Sequence, residues 1–569
     1  MNNYILGIWD GHDAGAAIIE GDRILFAVNE ERLTGRKLEA GFPVLSIKAC
    51  LSYVGIISSD ITEIAASTAD PAKTLTRIFP SLKEEYYLIR RRKKGPGRFD
   101  SFKKKFKYRF TEYGPNSVST YLSRLYLNKK LSEMGFCNYN LHILNHHSCH
   151  ANAAARCSGF DECLVITLDG LGDGLSGSIW KFKNGKLSPA GGISAKVSMG
   201  VFFEHVTNLL NMRELEDEGK VMAFANYAYP VDDSVNPLLN IIKCDGLSFV
   251  SDYSSTGMFK EMKRIFWRYP PEQFACMAQR VVEKRTTELV KNAIAQTGMK
   301  KLALAGGLFS NIKLNKRLGE LDEVENISVF PHMGDGGLAI GAALEVNYHK
   351  SGLSRCILPD LYLGPGYTEK EILDCLGKKN ASYERISDPA MTAAGLILKN
   401  EIILWFRGRM ETGPRALGNR SILARADDRS LKDRLNLALK KRVWYQPFCP
   451  SLLIEDAKEL LHTEKLNTAD NPFMTMAYSV RDDRMSAMEG VVNLDGTCRP
   501  HFVGDENPRY RELLGHIKKK TGYGVVLNTS FNIHGDPVVC SPEDALDTLY
   551  RTDVRYLFME DFLVENKAR

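Results

Sequence analysis

The chain has 569 residues, with 75 Lys and Arg against 69 Asp and Glu and a formal net charge of +6. This near-neutral balance argues against a protein that binds nucleic acid mainly by electrostatic attraction to its phosphates. With 44% hydrophobic and 25% charged residues, the composition is that of a globular protein and excludes disordered, collagen-like and coiled-coil chains. The length predicts about two to four domains.

The cellular setting is indicated by three absences in the sequence. The twelve cysteines are scattered without a CxxC pair, and the first residues show no basic segment followed by an apolar run. No stretch reaches the roughly 18 apolar residues of a membrane-spanning helix. The sequence therefore predicts a reduced, cytoplasmic protein.

The first elements along the chain are three predicted strands, Tyr4–Trp9, 16–20 and Arg23–Asn29. A polar turn separates the first two strands, and a Gly-Asp turn separates the last two. The scheme recurs as strands at 163–168 and 177–182, an acidic Gly-rich turn between them, and a further strand from Lys186. This duplication is typical of the paired halves of the actin-like phosphotransferases.

A basic segment at 83–109 follows the first group of strands. It holds twelve Lys and Arg against three acidic residues, a local charge of +9, with aromatic residues such as Tyr86 and Tyr87 interleaved. Two interpretations stay open. The segment is either a solvated basic helix pair broken at Gly95-Pro96-Gly97, or a contact for a membrane surface, a polyanion or RNA.

The remaining elements complete an α/β pattern. The spacing predicts a helix at 274–297, a strand and Gly-Gly turn at 301–311, and a strand, Gly-rich turn and helix at 327–346. A Gly- and Pro-rich boundary lies at 351–368. The predicted domains are therefore 1–355, with the basic insertion at about 83–110, and 366–569.

Two histidines suggest a metal site in the first domain. His146 and His150 precede a small-residue stretch and share one face of a predicted helix at spacing i, i+4. Asp169 and Asp335 stand in Gly-rich turns at strand ends. Two imidazoles with two carboxylates suit Fe(II), Mn(II) or Zn(II). Two purely structural histidines would give the same HxxxH pattern.

The second domain contains a basic loop, GRMETGPRALGNRS at 408–421, followed by Lys440, Arg442 and DGTCR at 495–499. Glycines let the backbone approach a ligand closely, and Arg and Lys side chains neutralise phosphate. The loop therefore predicts a phosphate site. The alternative is an exposed loop held by surface salt bridges.

These motifs, read together, resemble one family. The chain is similar from end to end to the O-carbamoyltransferases of nodulation-factor and antibiotic tailoring, the tobramycin carbamoyltransferase type. The strings that carry the resemblance are GHDAGAA (11–17), EERLTGRK (30–37), NHHSCHANAA (145–154), LDGLGDG (168–174), EGKVMAFA (218–225), GRMETGPRALGNRS (408–421), DGTCRP (495–500) and LNTSFNIHGDPVVCSPEDA (527–545).

The resemblance implies an α/β fold: a duplicated actin-like (ASKHA) N-terminal domain with a YrdC-like C-terminal domain. It also implies a reaction in which carbamoyl phosphate and ATP, with Mg²⁺ as a possible companion, give a carbamoyl adenylate. The carbamoyl group then passes to a hydroxyl of a sugar or natural-product acceptor at the metal-bearing domain. The implied ligands of Fe(II), or of Mn or Zn in its place, are His146, His150, Asp169 and Asp335.

The resemblance assigns the other site residues by motif. Arg415 and Arg499 would bind carbamoyl phosphate and act in catalysis. His12 and Lys37 would act at the acceptor, with His12 taking its proton. Glu218 would also contact the acceptor. The nucleotide and phosphate pockets would be lined by Gly307, Asn311, Lys440, Arg442, Asn532 and His534.

Two positions depart from the family pattern. Gln446 stands where relatives with RPFAP carry Arg, and His534 stands where some carry Arg. Both changes remove a fixed positive charge from the predicted phosphate pocket, although a neutral imidazole still donates one hydrogen bond.

Two other functions stay open on the sequence alone. The duplicated Gly-rich turns suit an actin-like kinase or ATPase, which leaves the last 200 residues unexplained. The pairing of folds and the basic segment suit a tRNA-binding protein of the threonylcarbamoylation type, although the net charge makes nucleic acid an unfavoured partner. An oligomer is compatible with the sequence.

Overall fold

The computed structural model of the chain describes residues 4–95, 110–468 and 471–566. The chain divides into two compact units. Unit 1 comprises Met1–Glu30 and Leu38–Leu358, and unit 2 comprises Glu31–Lys37 and Pro359–Arg569. The division differs from the predicted domains 1–355 and 366–569 at one notable place, because the short segment Glu31–Lys37 belongs to unit 2.

The first half of unit 1 is built on a five-stranded sheet. Its strands are β1 (Tyr4–Trp9), β2 (Gly15–Glu20), β3 (Arg23–Asn29), β4 (Glu63–Ser67) and β5 (Asn140–Leu144), in the order β3-β2-β1-β4-β5. β1, β2 and β3 are antiparallel, whereas β4 and β5 run parallel to β1. The helices along this part of the chain are α1 (Glu30–Thr34), α2 (Val44–Val54), α3 (Pro71–Ile78), α4 (Pro80–Arg90) and α5 (Ser117–Glu133). All of α1 after Glu30 belongs to unit 2.

The second half repeats this topology. After α6 (His146–Cys157) come β6 (Glu162–Gly172), β7 (Leu175–Lys183), β8 (Lys186–Ser194), α7 (Met199–Leu209), α8 (Glu218–Phe224), β9 (Lys243–Asp245), β10 (Ser248–Val250), α9 (Ser255–Phe266), α10 (Pro271–Thr297), β11 (Lys301–Ala305), α11 (Ile312–Gly319), β12 (Asn326–Val329) and α12 (Leu338–Ser351). The second sheet has the order β12-β11-β6-β7-β8, with the same strand orientations as the first. The predicted duplication is confirmed.

Two helices join the halves of unit 1. α12 packs on β1, β2 and β4 of the first sheet, α6 packs on β6 and β11 of the second, and the two helices pack on each other. The contact is so close that a Cβ on Gly341 of α12 would lie 2.0 Å from the carbonyl oxygen of Cys149 in α6. The small residues around 151–155 and 341–343 therefore permit the approach that brings both helix starts to one place.

The structure departs from the predicted elements in unit 1 at two places. β6 continues to Gly172, so the predicted Gly-rich turn at 169–174 is largely strand, with a shift of register between Leu168 and Gly172. α4 forms the first part of the predicted basic helix pair. Residues 96–109, the rest of that pair, lie outside the described residues.

Unit 2 has an eight-stranded mixed sheet in the order β13-β22-β21-β14-β15-β20-β16-β19. Its strands and helices in chain order are α13 (Glu369–Lys378), β13 (Tyr383–Arg385), α14 (Pro389–Leu398), β14 (Ile403–Phe406), β15 (Arg420–Arg425), α15 (Arg429–Arg434), β16 (Cys449–Leu453), α16 (Ala457–Leu460), β17 (Tyr478–Ser479), β18 (Thr497–Cys498), β19 (His501–Val503), α17 (Pro508–Thr521), β20 (Val525–Ser530), α18 (Pro542–Tyr550), β21 (Tyr556–Met559) and β22 (Phe562–Glu565). Trp405, Tyr510 and Phe558 are fully buried in its core.

The α/β fold class with a duplicated actin-like N-terminal part is confirmed, and the second unit is a mixed α/β domain. The finer likeness of unit 2 to YrdC stays a prediction. None of the helices in the described ranges combines the length and the apolar character that crossing a bilayer requires.

Candidate active sites

Four side chains converge at the start of α6 in unit 1. His146 and His150 lie on consecutive turns of this helix, Asp169 comes from β6, and Asp335 lies in the turn before α12. One ligand atom from each lies within 4.8 Å of the other three. His146 Nε2 is 3.2 Å from Asp169 Oδ2, and His150 Nε2 is 3.5 Å from Asp335 Oδ1. We call these residues the His/Asp quartet.

Neighbouring groups fix the quartet in place. Asp173 accepts a hydrogen bond from the His146 backbone N–H at 2.6 Å, which anchors the first turn of α6. The Gly307 N–H donates to Asp169 Oδ1 at 2.7 Å. At Gly172 a Cβ would lie 2.4 Å from the His146 ring, so only glycine leaves the imidazole its position. Gly307, predicted to line the nucleotide cleft, thus orients a carboxylate of the quartet.

The electrostatics of the quartet favour a bound cation. Burial opposes ionisation of Asp169, but the hydrogen bond from His146 and the nearby imidazole of His150 hold its pKa well below the usual range. Burial and the charge of Asp169 raise the pKa of Asp335 well above its usual range. Among the described residues, His150 Nε2 and Asp335 Oδ1 have no hydrogen-bond partner. Two nitrogens and two oxygens around one point fit a divalent transition metal.

The quartet faces a large cavity. The cavity has a volume of about 940 Å³, and His12, His146 and Asp335 are part of its wall. His12 Nε2 lies 3.2 Å from Asp335 Oδ2, and the Trp9 indole donates to the His12 carbonyl at 2.7 Å. The structure therefore brings His12 to the quartet, and its role as a proton acceptor stays a prediction.

Three arginines of the basic segment, Arg90, Arg91 and Arg92, bind other residues of unit 1. Arg90 forms ion pairs with Glu204 and Glu214, and Arg91 pairs with Glu216. Arg92 donates to the backbone carbonyls of 208 and 212 and to the Asn211 side chain. Arg90 and Arg91 are therefore paired with carboxylates inside unit 1, whereas Arg92 is exposed and bonds to uncharged oxygens.

Glu218 and Asn311 have structural partners in unit 1. Glu218, at the start of α8, accepts from the Leu215 N–H at 2.8 Å. Burial and repulsion by Glu204 raise the pKa of Glu218 to about 8. Asn311 is the N-cap of α11. It accepts a hydrogen bond from the Leu314 N–H at 3.1 Å and donates one to the Gln279 side chain at 2.8 Å. The predicted acceptor and nucleotide contacts of these residues stay predictions.

Unit 2 contains a second charged cluster, formed by Arg415, Arg442 and Arg499, which we call the arginine cluster. Arg499 donates through Nε and Nη2 to the Cys449 sulfur at 3.2 and 3.0 Å. Burial and repulsion by Arg499 lower the pKa of Arg415 to about 9, and burial lowers that of Arg442 to about 9. Within the described ranges, no carboxylate forms an ion pair with any of the three arginines.

The loop carrying Arg415 is shaped by one carboxylate. Glu411 Oε1 accepts the backbone N–H groups of Leu417, Asn419 and Arg420 at 2.7, 2.8 and 3.1 Å. Three backbone donors on one oxygen fix the turn after Arg415. The Arg415 Nε atom is buried and has no hydrogen-bond partner among the described residues. This is the geometry of a cation positioned for an anionic ligand.

Lys440 lies close to the arginine cluster but is already bonded. Its ammonium donates to the Ser530 carbonyl and to the carbonyl and side-chain oxygens of Asn532, the last two at 2.8 and 3.0 Å. Burial, then repulsion by Arg442 and Lys37, lower the pKa of Lys440 well below its usual range. Lys37 therefore lies in the basic environment of Lys440 in unit 2. The role predicted for Lys37 at the acceptor stays a prediction.

The remaining predicted residues of unit 2 lie around this region. His534 is half-buried in the turn between β20 and α18. Gln446, at the position where the resemblance implies an arginine, has a buried Oε1 atom without a partner in the described part of the chain. Sequence reasoning missed Cys449, although it stands in the VWYQPFCP segment where relatives with RPFAP have alanine, three residues after Gln446.

Comparisons with known proteins identify the family. The family model described as carbamoyltransferase N-terminus matches residues 4–344, and the one described as carbamoyltransferase C-terminus matches residues 394–566. The chain is 30% identical to nodulation protein NolNO of Sinorhizobium fredii over 98% of this chain and 79% of that one. It is 31% identical to 3'-hydroxymethylcephem-O-carbamoyltransferase of Streptomyces clavuligerus over 41% of this chain and 43% of that one.

Among solved structures, component A of (R)-2-hydroxyglutaryl-CoA dehydratase from Acidaminococcus fermentans aligns with 61% of this chain and 98% of its own, at 14% identity and a TM-score of 0.35. The family assignment depends on the sequence matches, which together extend over both units. The chain therefore belongs to the carbamoyltransferase family and is a carbamoyltransferase.

Proposed function

We propose that the protein is an O-carbamoyltransferase that uses carbamoyl phosphate and ATP, through a carbamoyl adenylate, to carbamoylate a hydroxyl of a sugar or natural product. The overall reaction consumes one water and releases phosphate, pyrophosphate and AMP. Unit 2 would form the adenylate, and the quartet in unit 1 would be the place of transfer. The relative named 3'-hydroxymethylcephem-O-carbamoyltransferase supports this assignment.

In unit 2 the arginine cluster would bind carbamoyl phosphate. Arg415 and Arg499 present guanidinium groups in a region without a neutralising carboxylate among the described residues, so a phosphate would relieve their mutual repulsion. As phosphate leaves, charge accumulates on its oxygens, and fixed guanidinium groups stabilise that charge. The roles predicted for Lys440, Arg442, Asn532 and His534 in the pocket are part of this proposal.

In unit 1 the quartet would hold a divalent metal, for which Fe(II), Mn(II) and Zn(II) are the candidates that its donor set suits. Such an ion supplies Lewis acidity to a carbonyl or hydroxyl oxygen when bound. His12, next to Asp335, would accept the proton from the acceptor hydroxyl as the new C–O bond forms. The cavity wall would exclude bulk water, which otherwise hydrolyses the activated carbamoyl group.

The observation that carries this proposal is the convergence of the His/Asp quartet, of which His146 and Asp335 line a cavity of about 940 Å³. The test incubates the protein with ¹⁴C-carbamoyl phosphate, ATP and an extract of small molecules. The proposal expects a labelled carbamate ester that depends on both carbamoyl phosphate and ATP. Label transfer without ATP, or ATP hydrolysis that ignores carbamoyl phosphate, would contradict it.

A further inference from the structure

Unit 2 contains a group of side chains that the proposed reaction does not use. Asp388, Glu512 and His516 each place one possible ligand atom within 4.8 Å of the other two. The three come from two elements, because Asp388 directly precedes α14 and the other two lie on α17. We propose that this group, which we call the α14–α17 triad, binds a zinc ion. The ion would cross-link the two helices, with water completing its coordination.

The two triad residues on α17 have the spacing of a helical chelate. Glu512 and His516 are four positions apart, so their side chains lie on one face of the helix in consecutive turns. Packing fixes the direction of this face, because Leu513 and Ile517, the residues that follow them, are buried in the core that α14 and α17 share. A carboxylate and an imidazole therefore lie together beside the contact between the helices.

Asp388 is held in place by its role as a helix cap. Its Oδ1 accepts the Met391 N–H at 2.8 Å, which fixes the side chain at the start of α14. The Oδ2 atom lies 4.0 Å from His516 Nε2. This separation is too long for a hydrogen bond. It is close to the roughly 3.4 Å between two ligands of a tetrahedral zinc ion with bonds of about 2.1 Å, so a small side-chain movement would admit the ion.

The chemistry of the triad favours zinc over the hard divalent cations. Zn(II) binds imidazole nitrogen readily, whereas Mg²⁺ and Ca²⁺ take oxygen ligands. The two carboxylates would balance the double positive charge of the ion. The side chains of His516 and Asp388 are 23% and 35% exposed, so a hydrated ion can reach them from solvent.

The cation that competes for the triad is a weakly held arginine. Arg509 lies 3.0 Å from Glu512 Oε2, and the side chains of this pair are 57% and 40% exposed. Such an exposed ion pair contributes little and would yield to a divalent ion. Arg511 and Lys518, which are also on α17, pair with carboxylates outside the triad. The triad is therefore open to a metal ion at the cost of one surface ion pair.

The test counts zinc in the whole protein. Wild type and variants are dialysed against a chelator buffer of fixed free zinc concentration, and zinc per chain is measured by mass spectrometry. We expect His516→Ala to bind one zinc fewer per chain than the wild type. His462→Ala is the matched control, because His462 lies in unit 2 at 3.6 Å from one carboxylate but belongs to no such group among the described residues. Equal zinc content in His516→Ala and the wild type, or the same loss in His462→Ala, would overturn the inference.

Two further variants separate coordination from a structural role. Glu512→Gln keeps the size of an exposed side chain but removes a charged ligand, so zinc affinity at the triad should fall at least about tenfold. Arg509→Ala removes the competing cation and should bind zinc at least as tightly as the wild type does. Zinc should also raise the melting temperature of the wild type more than that of Glu512→Gln. Wild-type affinity in Glu512→Gln, or weaker binding in Arg509→Ala, would contradict the proposal. These differences are independent of whether the quartet of unit 1 holds a metal.

Discussion

The His/Asp quartet of unit 1 and the arginine cluster of unit 2 are both buried groups of ionisable side chains, but their charges are unbalanced in opposite directions. In the quartet, burial and the charge of Asp169 raise the pKa of Asp335, because both carboxylates face the same point. In the arginine cluster, burial and the nearby Arg499 lower the pKa values of Arg415 and Arg442 around a single thiol. Each arrangement costs stability without a ligand of opposite charge, so the first is suited to a metal cation and the second to phosphate.

The largest expected effect concerns the cation of unit 1. Asp335→Asn removes the carboxylate shared by His146, His150 and His12, and we expect bound transition metal to fall at least about a hundredfold in affinity. Metal content measured by mass spectrometry after dialysis tests this. Asp161→Asn, an exposed carboxylate with 90% side-chain exposure, is the control. Full metal content in the Asp335 variant would show that the quartet is not a metal site.

A smaller effect is expected from Gly172→Ala, which changes none of the four quartet residues themselves. The added Cβ would lie 2.4 Å from the His146 ring and must displace it. We expect metal affinity to fall about tenfold to a hundredfold. Gly395→Ala on α14, where a Cβ meets nothing within 4 Å, should leave metal binding unchanged. Metal titration of the two purified variants gives the comparison, and equal affinities would contradict the geometry.

In unit 2 the complementary change adds charge instead of removing it. Gln446→Arg restores the family cation beside the arginine cluster, and we expect phosphate to bind about fivefold more tightly at low salt. Trp444→Arg, with its exposed side chain, controls for net charge. Calorimetric titration with inorganic phosphate measures both. Identical phosphate affinity in the Gln446 variant and the wild type would place residue 446 outside the anion site.

The smallest effect is a pH dependence of stability at Glu218, whose pKa rises from near 4.5 to about 8 on folding. The carboxyl is protonated in both states below pH 4.5. Between pH 4.5 and 8 only the unfolded chain ionises, so folding loses stability as pH rises. We expect Glu218→Gln to match the wild type at pH 4.5 and to exceed it by roughly 1–3 kcal/mol at pH 9. Thermal unfolding at both pH values decides, and a constant difference would contradict the shift.

The quartet was predictable from the sequence because its parts obey local rules. The i, i+4 spacing fixes two imidazoles on one helix face, Asp169 follows the buried run 163–168 of β6, and Asp335 follows β12. The duplicated strand pattern then predicts that the two halves face each other. The four residues accordingly lie within a few ångströms in the structure.

Other features depend on contacts between distant segments and could not be predicted this way. Arg90 at the end of α4 and Arg91 after it look solvated in sequence, yet they pair with Glu204, Glu214 and Glu216, more than 110 positions away. The sequence around Cys449 predicts an ordinary core residue. Only the structure shows that Arg499 donates to its sulfur. The segment Glu31–Lys37 belongs to unit 2, although the residues on both sides of it belong to unit 1. No hydrophobic periodicity of the sequence indicates this.

The central claim, two centres with separate tasks, is tested most directly by carbamoyl phosphate-dependent release of pyrophosphate from ATP, a reaction that needs no acceptor. We expect Arg415→Ala to lower this rate at least about a hundredfold and His146→Ala to keep it within about twofold of the wild type. His142→Ala, at a partly exposed histidine on β5, controls for loss of an imidazole. If His146→Ala abolishes pyrophosphate release as completely as Arg415→Ala does, the division of labour between the two units is wrong.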